Sequence, residues 1–402
     1  MTTNSNKKLT ILFCKYKSIC EPGVEHAFHI MGHTVDELTE PFRSDFDSGY
    51  LEILSSKLIE KNYDFVFSIN FQPIISRVCT IFKIPYLCWT VDSPCSTLYS
   101  DSIKSPFNRI FIFDKKEYIK FHSYNPKNIF HLPLGCDYDA WNSLKLTEND
   151  HQQYDCDISF IGSTYREKCI YNEIEKKIPP YLKGYVDGII QAQMNVYGYN
   201  FIEDSLTKQF CNDFSKFIDC APPTSEYIED QRGIIANTFI GEKCTEQERL
   251  LTLTNISNHF NIDLYTMSDV SSLPNVHFCG AANSKTMMPK IFKCSKINLN
   301  MTSRSIQTGL PLRIFDIMCA GGFCLTNFQA EIPEYFSINE DLVVYDSQQD
   351  LLSKISYFLS HEDERKTISQ NGQKKVIENY TYEIQLKKML TICGFIHNNC
   401  SL

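Results

Sequence analysis

The chain has 402 residues, a formal net charge of −9 and 43% hydrophobic residues, which is too long for one ordinary core and ample for two domains of roughly 150 to 200 residues. The acidic balance argues against a nucleic-acid partner, because neutralising phosphates needs a basic face and the lysines here are scattered among acids. Seventeen cysteines include no C-x-x-C pair and lie largely in apolar runs such as Ile11–Cys14 and Tyr86–Trp89, as small buried hydrophobes in a reducing cytoplasm would.

The first apolar stretch, Leu9–Cys14, is short and broken by Lys15, and no later run approaches the roughly 18 residues that span a bilayer. Neither a signal peptide nor a transmembrane helix is therefore expected. Leu9–Cys14 instead reads as a buried strand, Glu21–Met31 as a helix stopped by Gly32, and His33–Asp36 as the next strand. Ser55–Lys61 is predicted as helix, Phe65–Ile69 as strand, Ile74–Phe82 as helix, Tyr86–Val91 and Arg109–Phe113 as strands, Lys115–His122 as helix and Ile129–Leu132 as strand. Alternation at this spacing predicts a parallel sheet with helices on both faces. Ligands of such sheets collect at the carboxyl ends of the strands, which singles out Asn70, Asp92 and Asp114.

Pro133 and Gly135 punctuate a polar stretch, so a first domain over 1–137 and a linker over 138–154 are expected. A second domain over 155–378 opens with the strand Asp157–Ile161, which runs into Gly162 with the cations Arg166 and Lys168 just beyond. Residues 167–250 are helical in pattern and read as an insertion. Strands resume at Ile262–Tyr265 and Val276–Cys279, followed by a helix over Met287–Cys294 and a strand over Ile297–Asn300. Leu342–Tyr345 is predicted as strand, and 348–360, 362–378 and 382–392 as helices. The tail 379–402 is expected to pack back on the first domain.

The most informative segment is Gly309–Thr326: a loop, a short helix, a double glycine and a strand. Leu312, Phe315 and Cys319 recur at helical spacing and should face a core, while Arg313 and Asp316, three apart, share another side. Gly321 and Gly322 can leave the right-handed helix without a Cβ penalty. A helix start beside a loop offers unpaired N–H groups to a diphosphate, and a carboxylate one turn in can accept ribose hydroxyls. An Arg/Asp pair three apart is equally compatible with a solvated surface pair.

The order of these pieces resembles the CgeB-like, spore-maturation type of glycosyltransferase with a group 1 glycosyltransferase C-terminal domain. Tyr63–Pro73, Ile84–Pro94 and Leu132–Asp137 resemble its N-terminal domain; Ser159–Gly162, Leu273–Gly280, Lys296–Asn300 and Gly309–Thr326 resemble the group 1 domain. The resemblance implies an α/β protein of GT-B architecture, two Rossmann-like doubly wound parallel-sheet domains facing a cleft. It further implies transfer of a sugar from a nucleotide-sugar donor to an acceptor hydroxyl, in surface glycan or protein glycosylation, by a cytoplasmic enzyme that touches a membrane at most peripherally. No cofactor and no metal are implied, since helix N-termini and arginines can stabilise the departing diphosphate.

Carried across, the donor side comprises Gly162, Arg166, Gly280, Asn283, Arg304, Arg313 and Asp316, with Asn70, Asp92 and Asp114 on the acceptor or sugar side and Asp92 and Arg313 as the catalytic pair. Asp316 stands where relatives place a ribose-binding Glu, and Thr308, beside Gln307, stands where they have an earlier Glu. Asp92 stands where many have a His, and is equally placed to cap the Asp-Ser-Pro turn. His26, His29 and His33 have helix-surface spacing rather than companions for a metal, and the D-x-D triplets at Asp45, Asp137 and Asp155 are expected of an Asp-rich chain. A nucleotide-sugar epimerase of the same fold and a non-catalytic nucleotide-sugar-binding protein are the other readings.

Overall fold

A computed structural model describes residues 8–218 and 227–397. They form two compact units, the first from residues 8–137, 227–228 and 379–397, the second from residues 138–218 and 229–378.

The first unit is built on β1 (Thr10–Cys14), β2 (Thr34–Leu38), β3 (Phe65–Ile69), β4 (Tyr86–Trp89), β5 (Asn108–Ile112) and β6 (Ile129–His131), all parallel in the order β2-β1-β3-β4-β5-β6. Every residue of β3 and β4 is buried, the pattern of strands covered by helices on both faces. The C-terminal helix Tyr382–Ile392 is part of this unit. Its Gln385 amide donates to the carbonyls of Pro133 (2.6 Å) and Leu134 (3.1 Å), and Tyr382 meets the Trp89 ring edge-on at 6.0 Å.

The second unit holds β7 (Cys156–Ile161), β8 (Asp263–Tyr265), β9 (His277–Phe278), β10 (Ser295–Asn300), β11 (Cys324–Asn327) and β12 (Val343–Tyr345), again all parallel, in the order β12-β11-β10-β7-β8-β9. Its first strand is central, with the next two on one side and the last three on the other. The winding therefore reverses between β7 and β10, and in the first unit it reverses between β1 and β3. Such reversals open a crevice outside the carboxyl ends of the strands, where α/β sheets take their ligands.

Three elements differ from the sequence-based expectation. Residues 138–154 are not a linker: they form the helices Tyr138–Asn142 and Glu148–Tyr154 and belong to the second unit. Their polar residues are structural, with Thr147 and Asp150 closing a capping box and Asp150 meeting Lys290 at 2.8 Å. The helix expected from Ser55 starts at Ser48, where Asp47 caps it by accepting the Tyr50 N–H. The inserted helices stop at Gly241, because Glu242–Ser257 is the crossover helix from β7 to β8. The insertion has its own core, including Tyr171, Ile190, Phe210, Phe214 and Phe239, and ends in a π-helix over Ile235–Gly241. The part of the predicted insertion at 219–226 lies outside the described residues.

Candidate functional site

The helix Leu312–Cys319 follows β10 and is buried at Ile314, Phe315, Ile317, Met318 and Cys319. Leu312, expected in the core, is only half-buried, and shares the partly accessible strip with Arg313 and Asp316. The Gly321 N–H donates to Met318 O and the Gly322 N–H to Ile317 O, both at 2.9 Å, with Gly321 at φ +81°. This left-handed stop turns the chain into β11. Arg313 Nη1 lies 3.6 Å from Asp316 Oδ2, and its guanidinium covers the Phe292 ring at 5.4 Å. Burial lowers the Arg313 pKa, Asp316 opposes that, and the charge of Arg249 pushes it down further. A second cation therefore acts on the first through its charge.

Arg249 was not singled out in the sequence. It sits on the β7–β8 crossover helix and reaches the β7/β10 reversal, where Nη1 donates to Ser163 O (2.6 Å) just after β7 and Nη2 to Met301 O just after β10. Its guanidinium stacks over Tyr165 (4.8 Å) and Phe160 (5.4 Å). Its Nε has no partner, and it makes no ion pair among the described residues. Burial lowers its pKa against the raising influence of Tyr165 and Glu248. A buried cation that no carboxylate neutralises is costly unless an anion completes it. Gly162 keeps this approach open: a Cβ there would meet the Phe160 ring at 3.1 Å and Arg249 Nη1 at 3.6 Å.

The other expected donor-side residues divide. Arg304 is a correction. It is 5% exposed and forms a two-pronged pair with Glu248, Nε to Oε2 and Nη2 to Oε1, each 2.7 Å, while Nη1 donates to Val196 O (3.0 Å). Burial works against its charge, Glu248 outweighs burial, and the pKa rises. Arg304 thus ties the segment after β10 to the crossover helix, buried and with its charge already neutralised by Glu248. Arg166 is exposed, 3.4 Å from Asp269 and 3.4 Å from Ser272 Oγ. Gly280 has φ +76°, and the carboxamide oxygen of Asn283 accepts the N–H groups of Lys285 (2.9 Å) and Thr286 (3.1 Å), forming the turn there. Thr308 donates its hydroxyl to the buried Glu331 carboxylate at 2.7 Å, so a carboxylate from the loop after β11 stands at that position. Gln307 donates to Asn237 of the π-helix at 2.8 Å.

In the first unit, Asn70, Asp92 and Asp114 follow β3, β4 and β5. Asn70 has a left-handed backbone, φ +55°, and its amide binds the exposed Asp92 at 2.6 Å. Asp114 is a second correction. It is fully buried, caps the helix Lys115–His122 by accepting the Lys116 N–H (3.1 Å), and takes the Ser93 hydroxyl (3.0 Å), so it cannot line an open rim. Of the histidine trio, His29 lies 3.8 Å from Glu25 and His33 accepts the Leu9 N–H. Among the described residues, three potential metal ligands converge within 4.8 Å only at His151, Asp155 and Cys294 and at Asp263, His277 and Cys279.

Residues 257–391 match the glycosyl transferase-like family. That stretch runs from the end of the crossover helix through β8–β12 and includes Arg313 and Asp316. No curated protein matches the chain in sequence. Among solved structures, a glycosyltransferase from Rickettsia africae ESF-5 is similar at 14% identity and TM-score 0.56, covering 98% of this chain and 100% of its own. Anabaena Alr3699/HepE in complex with UDP and glucose is similar at 12% identity and TM-score 0.53, over 96% and 100%. Sucrose-phosphate synthase from Thermosynechococcus elongatus is similar at 10% identity and TM-score 0.52, over 95% and 97%. The fold is thus that of the GT-B glycosyltransferases. No helix among the described residues is long and apolar enough to cross a membrane.

Proposed function

We propose that the protein is a glycosyltransferase whose second unit binds a nucleoside-diphosphate sugar. The observation that carries this reading is the pair Arg249 and Arg313: a buried guanidinium without a carboxylate ion pair, held between the carboxyl ends of β7 and β10, and a partly accessible one whose charge the first disfavours and whose carboxylate, Asp316, lies only at 3.6 Å. A diphosphate supplies the missing anion. As the bond from the anomeric carbon to the diphosphate breaks and the bond to the acceptor oxygen forms, charge builds on the leaving group, and preorganised guanidiniums stabilise it without a metal. Asp316, in the same helix as Arg313, takes the ribose hydroxyls in this reading. The family match over 257–391 and the UDP and glucose bound by Anabaena HepE support the donor class. The CgeB-like subtype, a surface-glycan or protein acceptor and a cytoplasmic setting belong to the same proposal, on the strength of the N-terminal motifs.

Thermal-shift measurements with UDP, GDP, ADP and dTDP test it. At least one should raise the unfolding midpoint of the wild type, and the shift should vanish in Arg249→Met and Arg313→Ala while both variants remain folded. No shift with any diphosphate, or one retained in both variants, overturns the reading.

A further inference from the structure

The two-residue strand β9 ends the second sheet, paired to β8 in parallel register with Asp263 opposite His277. The His277 N–H donates to Ile262 O (3.1 Å) and the Cys279 N–H to Leu264 O (3.0 Å), so the two ladder bonds bracket Asp263. Side chains alternate along a strand, which sends His277 and Cys279 to one face and Phe278 to the other. The carboxylate of Asp263 therefore meets an imidazole and a thiol from the neighbouring strand.

Asp263 Oδ1 lies 2.8 Å from His277 Nδ1, Cys279 Sγ lies 3.5 Å from the same nitrogen, and the three atoms all fall within 4.8 Å of one another. The thiol also reaches His277 O at 3.6 Å. In a tetrahedral zinc site, with bonds of about 2.0 Å to nitrogen or oxygen and about 2.3 Å to sulfur, neighbouring donor atoms stand roughly 3.3–3.6 Å apart. The thiol and imidazole already have that spacing, and the carboxylate and imidazole need to part by only about half an ångström when a metal replaces their hydrogen bond. The Asp263 side chain is 17% exposed and that of His277 72%, which leaves the trio open to an ion arriving from solution. The other convergent trio lacks this cross-strand frame: His151 and Asp155 are neighbours four apart at a helix end, and Cys294 is directed to Asp150 O at 3.9 Å.

We propose that Asp263, His277 and Cys279 form a binding site for a divalent cation of the zinc class. A thiolate, an imidazole and a carboxylate together select a borderline ion over calcium or magnesium, which take sets of oxygens. On binding, the Cys279 thiol releases its proton to solvent and neutral His277 carries its proton on Nε2, so that Nδ1 is free to ligate. Water fills the fourth position. The site stands two strands out from β7 and takes no part in the transfer proposed above. It clips the short edge strand to β8, one residue before the turn at Gly280.

The test uses the untagged full chain, stripped of metal with a chelator, kept reduced with a phosphine and titrated with Co²⁺ under visible and near-ultraviolet absorption. Cobalt should give a thiolate-to-metal charge-transfer band together with the intense d–d bands of a four-coordinate ion, and Zn²⁺ should displace both. Cys279→Ser should remove the charge-transfer band. His277→Ala, at an exposed position, and Asp263→Asn should each weaken cobalt binding by roughly tenfold or more, at least the loss that follows removal of an outer-shell partner. Zn²⁺ should raise the unfolding midpoint of the wild type and not that of Cys279→Ser, while Cys294→Ser should behave as the wild type in both measurements. No charge-transfer band in the wild type, a band retained in Cys279→Ser, or a band lost in Cys294→Ser overturns the site. If Cys279→Ser does not fold, His277→Ala decides, and undiminished cobalt affinity in that variant overturns the site as well.

Discussion

The two sheets are both six-stranded, parallel and doubly wound, in different strand orders, and they are armed with different side chains. At the β1/β3 reversal the groups are a carboxylate, an amide and two further buried acids, Asp114 and Glu117; at the β7/β10 reversal they are two guanidiniums. Parallel α/β topology fixes where a ligand sits and leaves its chemistry to a few side chains. An anion suits the second site and not the first, where the carboxylate of Asp92 would repel it. The second unit also separates two arginines that look equivalent in sequence. Arg304 is neutralised inside the fold by Glu248, and Arg249 is not.

The sharpest way to break that distinction is to remove each arginine in turn. Arg304→Ala leaves Glu248 buried and unpaired and should cost about 3–5 kcal/mol in urea denaturation, with the nucleoside-diphosphate shift of the folded protein retained. Replacing both partners, Arg304→Met with Glu248→Leu, should recover most of that loss. Arg249→Met should lower turnover roughly 100- to 1000-fold, the range for loss of one preorganised donor to developing charge, while the protein stays folded. If Arg304→Ala abolishes nucleotide binding while Arg249→Met leaves it intact, the two roles are exchanged.

Much of the architecture was legible because it rests on local signals. β3 is apolar at nearly every position since both its faces are covered, and Gly321–Gly322 marked the helix end that the left-handed turn confirms. Arg249 was illegible for a topological reason: the insertion separates the β7 loop from its crossover helix, so its carbonyl partners Ser163 and Met301 are 86 and 52 residues away. Arg304 misled for the same reason, its carboxylate being 56 residues distant. Asp114 is different. Asp114-Lys-Lys-Glu117 spells a helix N-cap signature, so its buried capping role could have been read directly.

The acidic site carries its own signature in pH. Burial, with Asp114 adding to it, raises the Glu117 carboxyl from 4.5 to about 8, while the Cys95 N–H and Lys120 pull the other way. A raised folded-state value means the native protein holds a proton that the unfolded chain releases. The stabilisation is therefore complete below pH 4.5 and is lost as pH rises through about 8. Urea midpoints should fall between pH 5 and 8, and Glu117→Gln should flatten that fall without altering the nucleotide shift of the second unit. An unchanged slope in the variant would move the titrating group elsewhere.

The smallest effect expected is at Asp316. Its carboxylate is 3.6 Å from Arg313, longer than a hydrogen-bonded ion pair. Asp316→Ala should weaken nucleoside-diphosphate binding roughly tenfold, the order of one or two ribose hydrogen bonds, and leave inorganic pyrophosphate binding unchanged. Asp316→Glu restores the length that the related enzymes use, so it should bind the nucleoside diphosphate at least as well as the wild type if ribose is the partner. If instead Asp316 serves only to hold Arg313, the alanine variant should lose pyrophosphate and nucleoside diphosphate in equal measure, and the contrast between the two ligands decides which bond the carboxylate makes.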